Sequence, residues 1–137
     1  MLTLLLVAGV AFAATRYCDG GTCKGTDRAD KLFGSTGFDK ILGQQGADKI
    51  RANDGDDMVK GGAGADEIFG ELGNDRVKGS QDRDYVSGGD GDDLVRGGTH
   101  DKTNDGVKDI LDCGPGTDTV YYVRGQDRII DCEIRNP

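Results

Sequence analysis

From Asp30 to Asp93 an aspartate recurs at every ninth residue, and an aliphatic side chain follows each one two residues later. Aligned on that pair, the chain divides into nonapeptides such as GTDRADKLF at 25–33, GQQGADKIR at 43–51 and GELGNDRVK at 70–78. In eight consecutive units position six is Asp30, Asp39, Asp48, Asp57, Asp66, Asp75, Asp84 and Asp93. Position eight is Leu32, Ile41, Ile50, Val59, Ile68, Val77, Val86 and Val95. Position four is glycine in all but two units, which carry Arg28 and Asp82 there. Residues 97–103 (GGTHDKT) then break the frame, and it resumes in phase with Asp109, Asp118 and Asp127, followed by Leu111, Val120 and Ile129. An insertion that keeps phase on both sides reads as a surface loop leaving a regular stack.

This period dictates a geometry. The Gly-rich first six residues of a unit suit a turn, because glycine tolerates positive φ and lets backbone carbonyls converge. The last three suit a very short strand with one side chain pointing inward. Two strands and two turns make a coil of eighteen residues, so aspartates eighteen apart stack in adjacent layers. One column holds Asp30, Asp48, Asp66 and Asp84; the other holds Asp39, Asp57, Asp75 and Asp93. Layers of a parallel sheet lie about 4.8 Å apart. Carboxylates stacked that closely repel, and a divalent ion between them reverses the sign. Carbonyls converging beside a carboxylate form a hard oxygen site, which favours Ca²⁺. The inward Leu, Ile and Val at position eight form a thin core.

Composition agrees. Among 137 residues there are 24 Gly, no Trp, 22 Asp and only 3 Glu. Such a chain could be disordered, but disorder needs no period. The net charge of −8 argues against nucleic acid and anionic membrane surfaces as partners, and favours cations.

The ends read differently. Residues 1–13 (MLTLLLVAGVAFA) have an apolar stretch of secretory length and an A-x-A site, which predicts a signal peptide cut after Ala13. The stretch is too short to span a bilayer. Cys18 and Cys23 lie in an N-terminal cap, 14–24. Cys113 lies in the later repeats, and Cys132 in a C-terminal cap, 131–137. Proximity favours the pairs Cys18–Cys23 and Cys113–Cys132; the latter are nineteen apart, one coil plus one residue. An exported chain favours disulfides, with zinc as the alternative. Lys31, Lys40, Lys49 and Arg76 at position seven should form an outward, solvated face. His100 falls in the insertion and reads as a loop residue.

The nonapeptide resembles the repeats-in-toxin, or haemolysin-type calcium-binding, family, most closely in GGAGADEIF at 61–69 and GGDGDDLVR at 88–96. The resemblance covers 25–130 apart from the insertion, as eight repeats at 25–96 and three at 104–130. It implies an all-β fold, a right-handed parallel β-roll or β-solenoid with several calcium ions between successive turns. The implied ligands are the carboxylates of Asp30, Asp39, Asp48, Asp57, Asp66, Asp75, Asp84, Asp93, Asp109, Asp118 and Asp127, with carbonyls from positions one to five. Arg28, Asp82 and Val107 depart from the pattern at position four. The expected protein is a secreted, monomeric calcium-binding module that calcium folds, without nucleic acid or a membrane span. An adhesion or surface-interaction module is the alternative. A hydrolase is less favoured, since no G-x-S-x-G, H-E-x-x-H or Cys/His pair is present.

Overall fold

The computed structural model describes residues 13–98, 107–124 and 126–136. The signal-peptide reading of 1–13 falls outside these, except for Ala13, as do His100 and most of the insertion.

The strands alternate between two seven-stranded parallel sheets. Sheet A contains β1 (Thr15–Tyr17), β3 (Lys31–Phe33), β5 (Lys49–Asp54), β7 (Glu67–Leu72), β9 (Tyr85–Asp90), β11 (Ile110–Asp112) and β13 (Arg128–Ile130). Sheet B contains β2 (Gly21–Lys24), β4 (Asp39–Gln45), β6 (Met58–Ala63), β8 (Arg76–Gln81), β10 (Leu94–Gly98), β12 (Thr119–Tyr121) and β14 (Ile134–Asn136). The chain is a β-solenoid: each strand pairs with the strand one coil before and one coil after it. Pairing steps by eighteen residues, as in Ile50↔Ile68 and Val59↔Val77. It steps by twenty-five across the insertion, as in Val86↔Leu111 and Val95↔Val120, and returns to eighteen at Leu111↔Ile129. The seven extra residues therefore leave the register of the flanking strands in phase.

The strands in the middle of the roll are longer than the three residues the repeat suggests. Pairing runs on into the next unit, where Gln44↔Gly62 and Gln45↔Ala63 follow Leu42↔Lys60. The first two turn residues after position one thus belong to the sheet, which narrows the true turn. The position-eight side chains from Leu32 to Val120 are at most 1% exposed and line up as one core; Ile129 packs against it partly buried. Extended backbone puts alternate side chains on opposite faces, so one aliphatic in nine suffices for a core one residue wide.

Both ends are stapled. Residues 14–24 supply a further coil, with Arg16 beside Leu32 and Cys23 beside Ile41. Cys18 is bonded to Cys23 across 5.7 Å between α-carbons, and Cys113 to Cys132 across 5.2 Å. These bonds decide against the zinc reading. The second links adjacent coils and closes a loop of nineteen residues. A loop of that size restricts the unfolded chain by about 3 kcal/mol. The Cys113→Ser/Cys132→Ser variant should therefore melt well below the parent in saturating calcium, as followed by circular dichroism; an unchanged midpoint would refute that role.

Candidate metal centre

The turns bring the repeated aspartates inward. Asp30, Asp39, Asp48, Asp57, Asp66, Asp75, Asp84, Asp93, Asp109 and Asp118 are all buried, whereas Asp127, near the last turn, is half-buried. Each column forms a ladder. The Oδ1 of one aspartate accepts the backbone N–H of the aspartate one coil earlier, at 2.6 to 3.1 Å from Asp30→Asp48 through Asp109→Asp127. A glutamate continues one ladder past its end: Glu133 accepts the Asp118 N–H at 3.0 Å.

The ladder uses only one oxygen. On Asp48, Asp57, Asp66, Asp75, Asp84, Asp93 and Asp118 the second oxygen, Oδ2, is buried with no hydrogen-bond partner. Burial pushes Asp84 up to about 8, Asp66 and Asp93 to about 7, and Asp48, Asp57 and Asp75 to about 6. The ladder amides oppose this, and neighbouring carboxylates reinforce it. Asp118 is raised by the same burial. An orphaned, buried carboxylate oxygen is costly unless a cation meets it.

The turn backbone fits such a cation. Position four lies in the left-handed region at Gly46, Gly55, Gly64, Gly73 and Gly91, and so does position two at Gln44, Asn53, Gly62, Glu71, Ser80 and Gly89. A Cβ on Gly43 would overlap both Oδ2 of Asp48 and the carbonyl oxygen of Gly61, so side-chain and backbone oxygens crowd the space that glycine leaves open. Among the described residues no three His, Cys, Asp or Glu side chains converge on one point. An ion here would thus draw mostly on carbonyls, a donor set suited to Ca²⁺ rather than to a transition metal.

The outermost turns are built otherwise. Asp30 Oδ2 accepts the Thr26 amide at 2.5 Å and the Thr26 hydroxyl at 2.9 Å. Asp39 Oδ2 accepts the same two donors from Ser35, at 2.6 and 2.8 Å. The carbonyls of Gly25 and Gly34 are taken as well, by the side-chain amides of Gln44 and Asn53. At the other end Asp127 Oδ2 accepts the Val123 amide at 2.7 Å. Burial acts to raise Asp30, but the amides of Ala14 and Thr26, the Thr26 hydroxyl and the Arg16 charge outweigh it and hold this carboxyl below its usual range. The expected site residues therefore fall into two groups: those with an orphaned Oδ2 and those whose own turn supplies the donors. Asp109 shares the ladder bond and packs against Gly97, with Val107 in its turn.

A second ladder lies outside the first, on position five. Asn74 N–H donates to Asp56 Oδ1, Asp92 N–H to Asn74 Oδ1, and Thr117 N–H to Asp92 Oδ1, at 2.7 to 2.9 Å. The sequence does offer a signal for it, Asp or Asn at position five of three alternate units.

A parallel β-solenoid with rows of buried carboxylates, seven of them with an orphaned oxygen beside an oxygen-rich turn, defines a calcium-binding β-roll. The comparison with known families agrees: the RTX calcium-binding nonapeptide repeat matches in four copies, at 24–59, 42–77, 51–86 and 69–99, which together cover more than half of the chain. The protein belongs to that family, whose repeats bind calcium. No curated protein and no solved structure matches it.

Proposed function

We propose that this chain is an extracellular module whose folding calcium drives, with the folded roll serving a structural or binding role. The observation that carries this reading is the orphaned Oδ2 on Asp48, Asp57, Asp66, Asp75, Asp84, Asp93 and Asp118. These carboxylates, with turn carbonyls, are the residues that would hold the ions. Calcium supplies the positive charge that makes the stacked carboxylates compatible with burial. Asp30, Asp39 and Asp127 act as end-caps, with amides and hydroxyls in place of the ion.

Export is part of the reading. Disulfides form in oxidising compartments. Cleavage after Ala13 would also leave the Ala14 ammonium beside Asp30, whose Oδ1 accepts from that nitrogen at 2.5 Å. Among the described residues no helix is long and apolar enough to cross a membrane.

Calorimetric titration of the full chain with Ca²⁺ tests the assignment. Several equivalents should bind, with β-sheet circular dichroism rising in step. Mg²⁺ at the same concentration should not substitute, because it keeps its waters and demands octahedral geometry. Failure to bind more than a single equivalent, or an equal response to Mg²⁺, would sink the proposal.

A further inference from the structure

The two sheets handle the same outward repeat positions, seven and nine, in different ways. On sheet A, Lys31 stands opposite Lys49, but the next strand offsets the charge: Lys49 Nζ lies 2.8 Å from Glu67, and Arg51 lies 3.0 Å from Glu71 and 5.2 Å over the Phe69 ring. Both ion pairs found among the described residues are on this side. On sheet B, position nine carries Lys24, Lys60, Lys78 and Arg96, and position seven carries Lys40 and Arg76. No aspartate or glutamate occupies either column from Thr22 to Tyr121. Lys60, Lys78 and Arg96 stand in three consecutive strands, each about 4.8 Å from the next. Burial, then the charges of Lys60 and Arg96, hold Lys78 below the ordinary lysine range. Like charges directly opposite one another destabilise a sheet, and sheet B stacks three in a row where sheet A answers Lys49 and Arg51 with glutamates.

We propose that the outer face of sheet B binds a linear anionic polysaccharide. This rests on the calcium-folded roll described above, since only the folded stack aligns the cations. The fit is one of charge and shape. The columns run in register from strand to strand, and Leu42, Met58 and Leu94 are interleaved with the cations. A chain of acidic sugars presents the same alternation of charged groups and C–H faces. Single-stranded nucleic acid is held by aromatic platforms for its bases, and Tyr121 is the one aromatic residue in these columns. The overall acid excess does not oppose binding, because ions between the turns would cancel much of it and leave this stripe as the local field.

The test is binding of the calcium-loaded full chain to hyaluronate and to dextran sulfate at low salt, by affinity electrophoresis. Single-stranded DNA of matched charge is the comparison. Lys60→Gln/Lys78→Gln/Arg96→Gln is set beside Lys31→Gln/Lys49→Gln/Arg51→Gln, which removes the same charge from sheet A. Losing three charge contacts at this face should weaken polysaccharide binding about tenfold in the sheet B variant, with little change in the sheet A variant. Should the sheet B triple fail to fold, Lys24→Gln/Lys40→Gln/Arg76→Gln is expected to show the same loss. Equal losses from the two faces, no binding to either polysaccharide, or tighter binding to DNA would overturn the proposal. Circular dichroism with and without calcium reports separately on whether the roll itself has formed.

Discussion

Freed of metal on a chelating resin, the protein at about pH 7.5 should lose most of its β-sheet circular dichroism, and should regain part of it, still without metal, near pH 4. The raised carboxylates set the sign. Asp48, Asp57, Asp66, Asp75, Asp84 and Asp93 sit at about 6 to 8 in the folded chain, against an ordinary 3.8. A group whose folded value is raised does not oppose folding below its unfolded value, where both states are protonated. The opposition grows as pH climbs from there through the folded value. Ionising a carboxylate whose folded pKa stands one above its unfolded pKa costs about 1.4 kcal/mol. Six such groups, all raised by burial and by neighbouring carboxylates, together oppose folding on the scale of the roughly 5–15 kcal/mol net stability of a whole domain. The metal-free roll should therefore persist only in acid, while at neutral pH calcium replaces the proton as the partner of Oδ2. With calcium present the dependence reverses, because protons compete for the same oxygens and affinity falls as pH falls. More β structure at pH 7.5 than at pH 4 in the metal-free chain would refute the account.

The parts of this arrangement that were legible in the sequence are those that depend on period alone. The coil of eighteen, the two aspartate columns, the position-eight core and the phase-preserving insertion all follow from spacing, since a repeat constrains its neighbours through backbone pairing. The capping of the ends was not legible. Ser35 and Ser80 occupy the same repeat position, yet Ser35 donates its amide and hydroxyl to Asp39, whereas Ser80 has a φ of 115° and its hydroxyl has no partner. The sequence is the same at that position, but the backbone differs. No single nonapeptide records which of the two backbones position two adopts. The unequal charge of the two faces was half visible. Position seven showed its lysines and arginines, but only the strand register separates those that meet glutamate from those that do not.

The two classes of aspartate should respond to the same substitution with opposite signs. Asp66→Asn keeps an oxygen to accept the Asp48 N–H, now at 2.8 Å, and removes a charge whose buried oxygen has no partner. Without metal at neutral pH, where the parent is largely unfolded, this variant should be the more folded of the two. In calcium it should be the weaker, with a higher calcium midpoint and a shallower transition, because a ligand oxygen has become an amide nitrogen. Asp30→Asn meets different surroundings. Its second oxygen accepts two donors from Thr26, and an amide nitrogen there would set donor against donor. It should lose about 1–3 kcal/mol in calcium, with calcium stoichiometry unchanged. Asp30 itself is held below its usual range, so the stability it contributes is present above about 3.8 and is lost as pH falls through the depressed value. Calcium titrations of both variants, followed by circular dichroism and calorimetry, separate the cases. If Asp30→Asn lowers the stoichiometry as Asp66→Asn does, the first turn is an ion site. If the two differ as stated, a hydroxyl and an amide do at the end of the stack what calcium does within it.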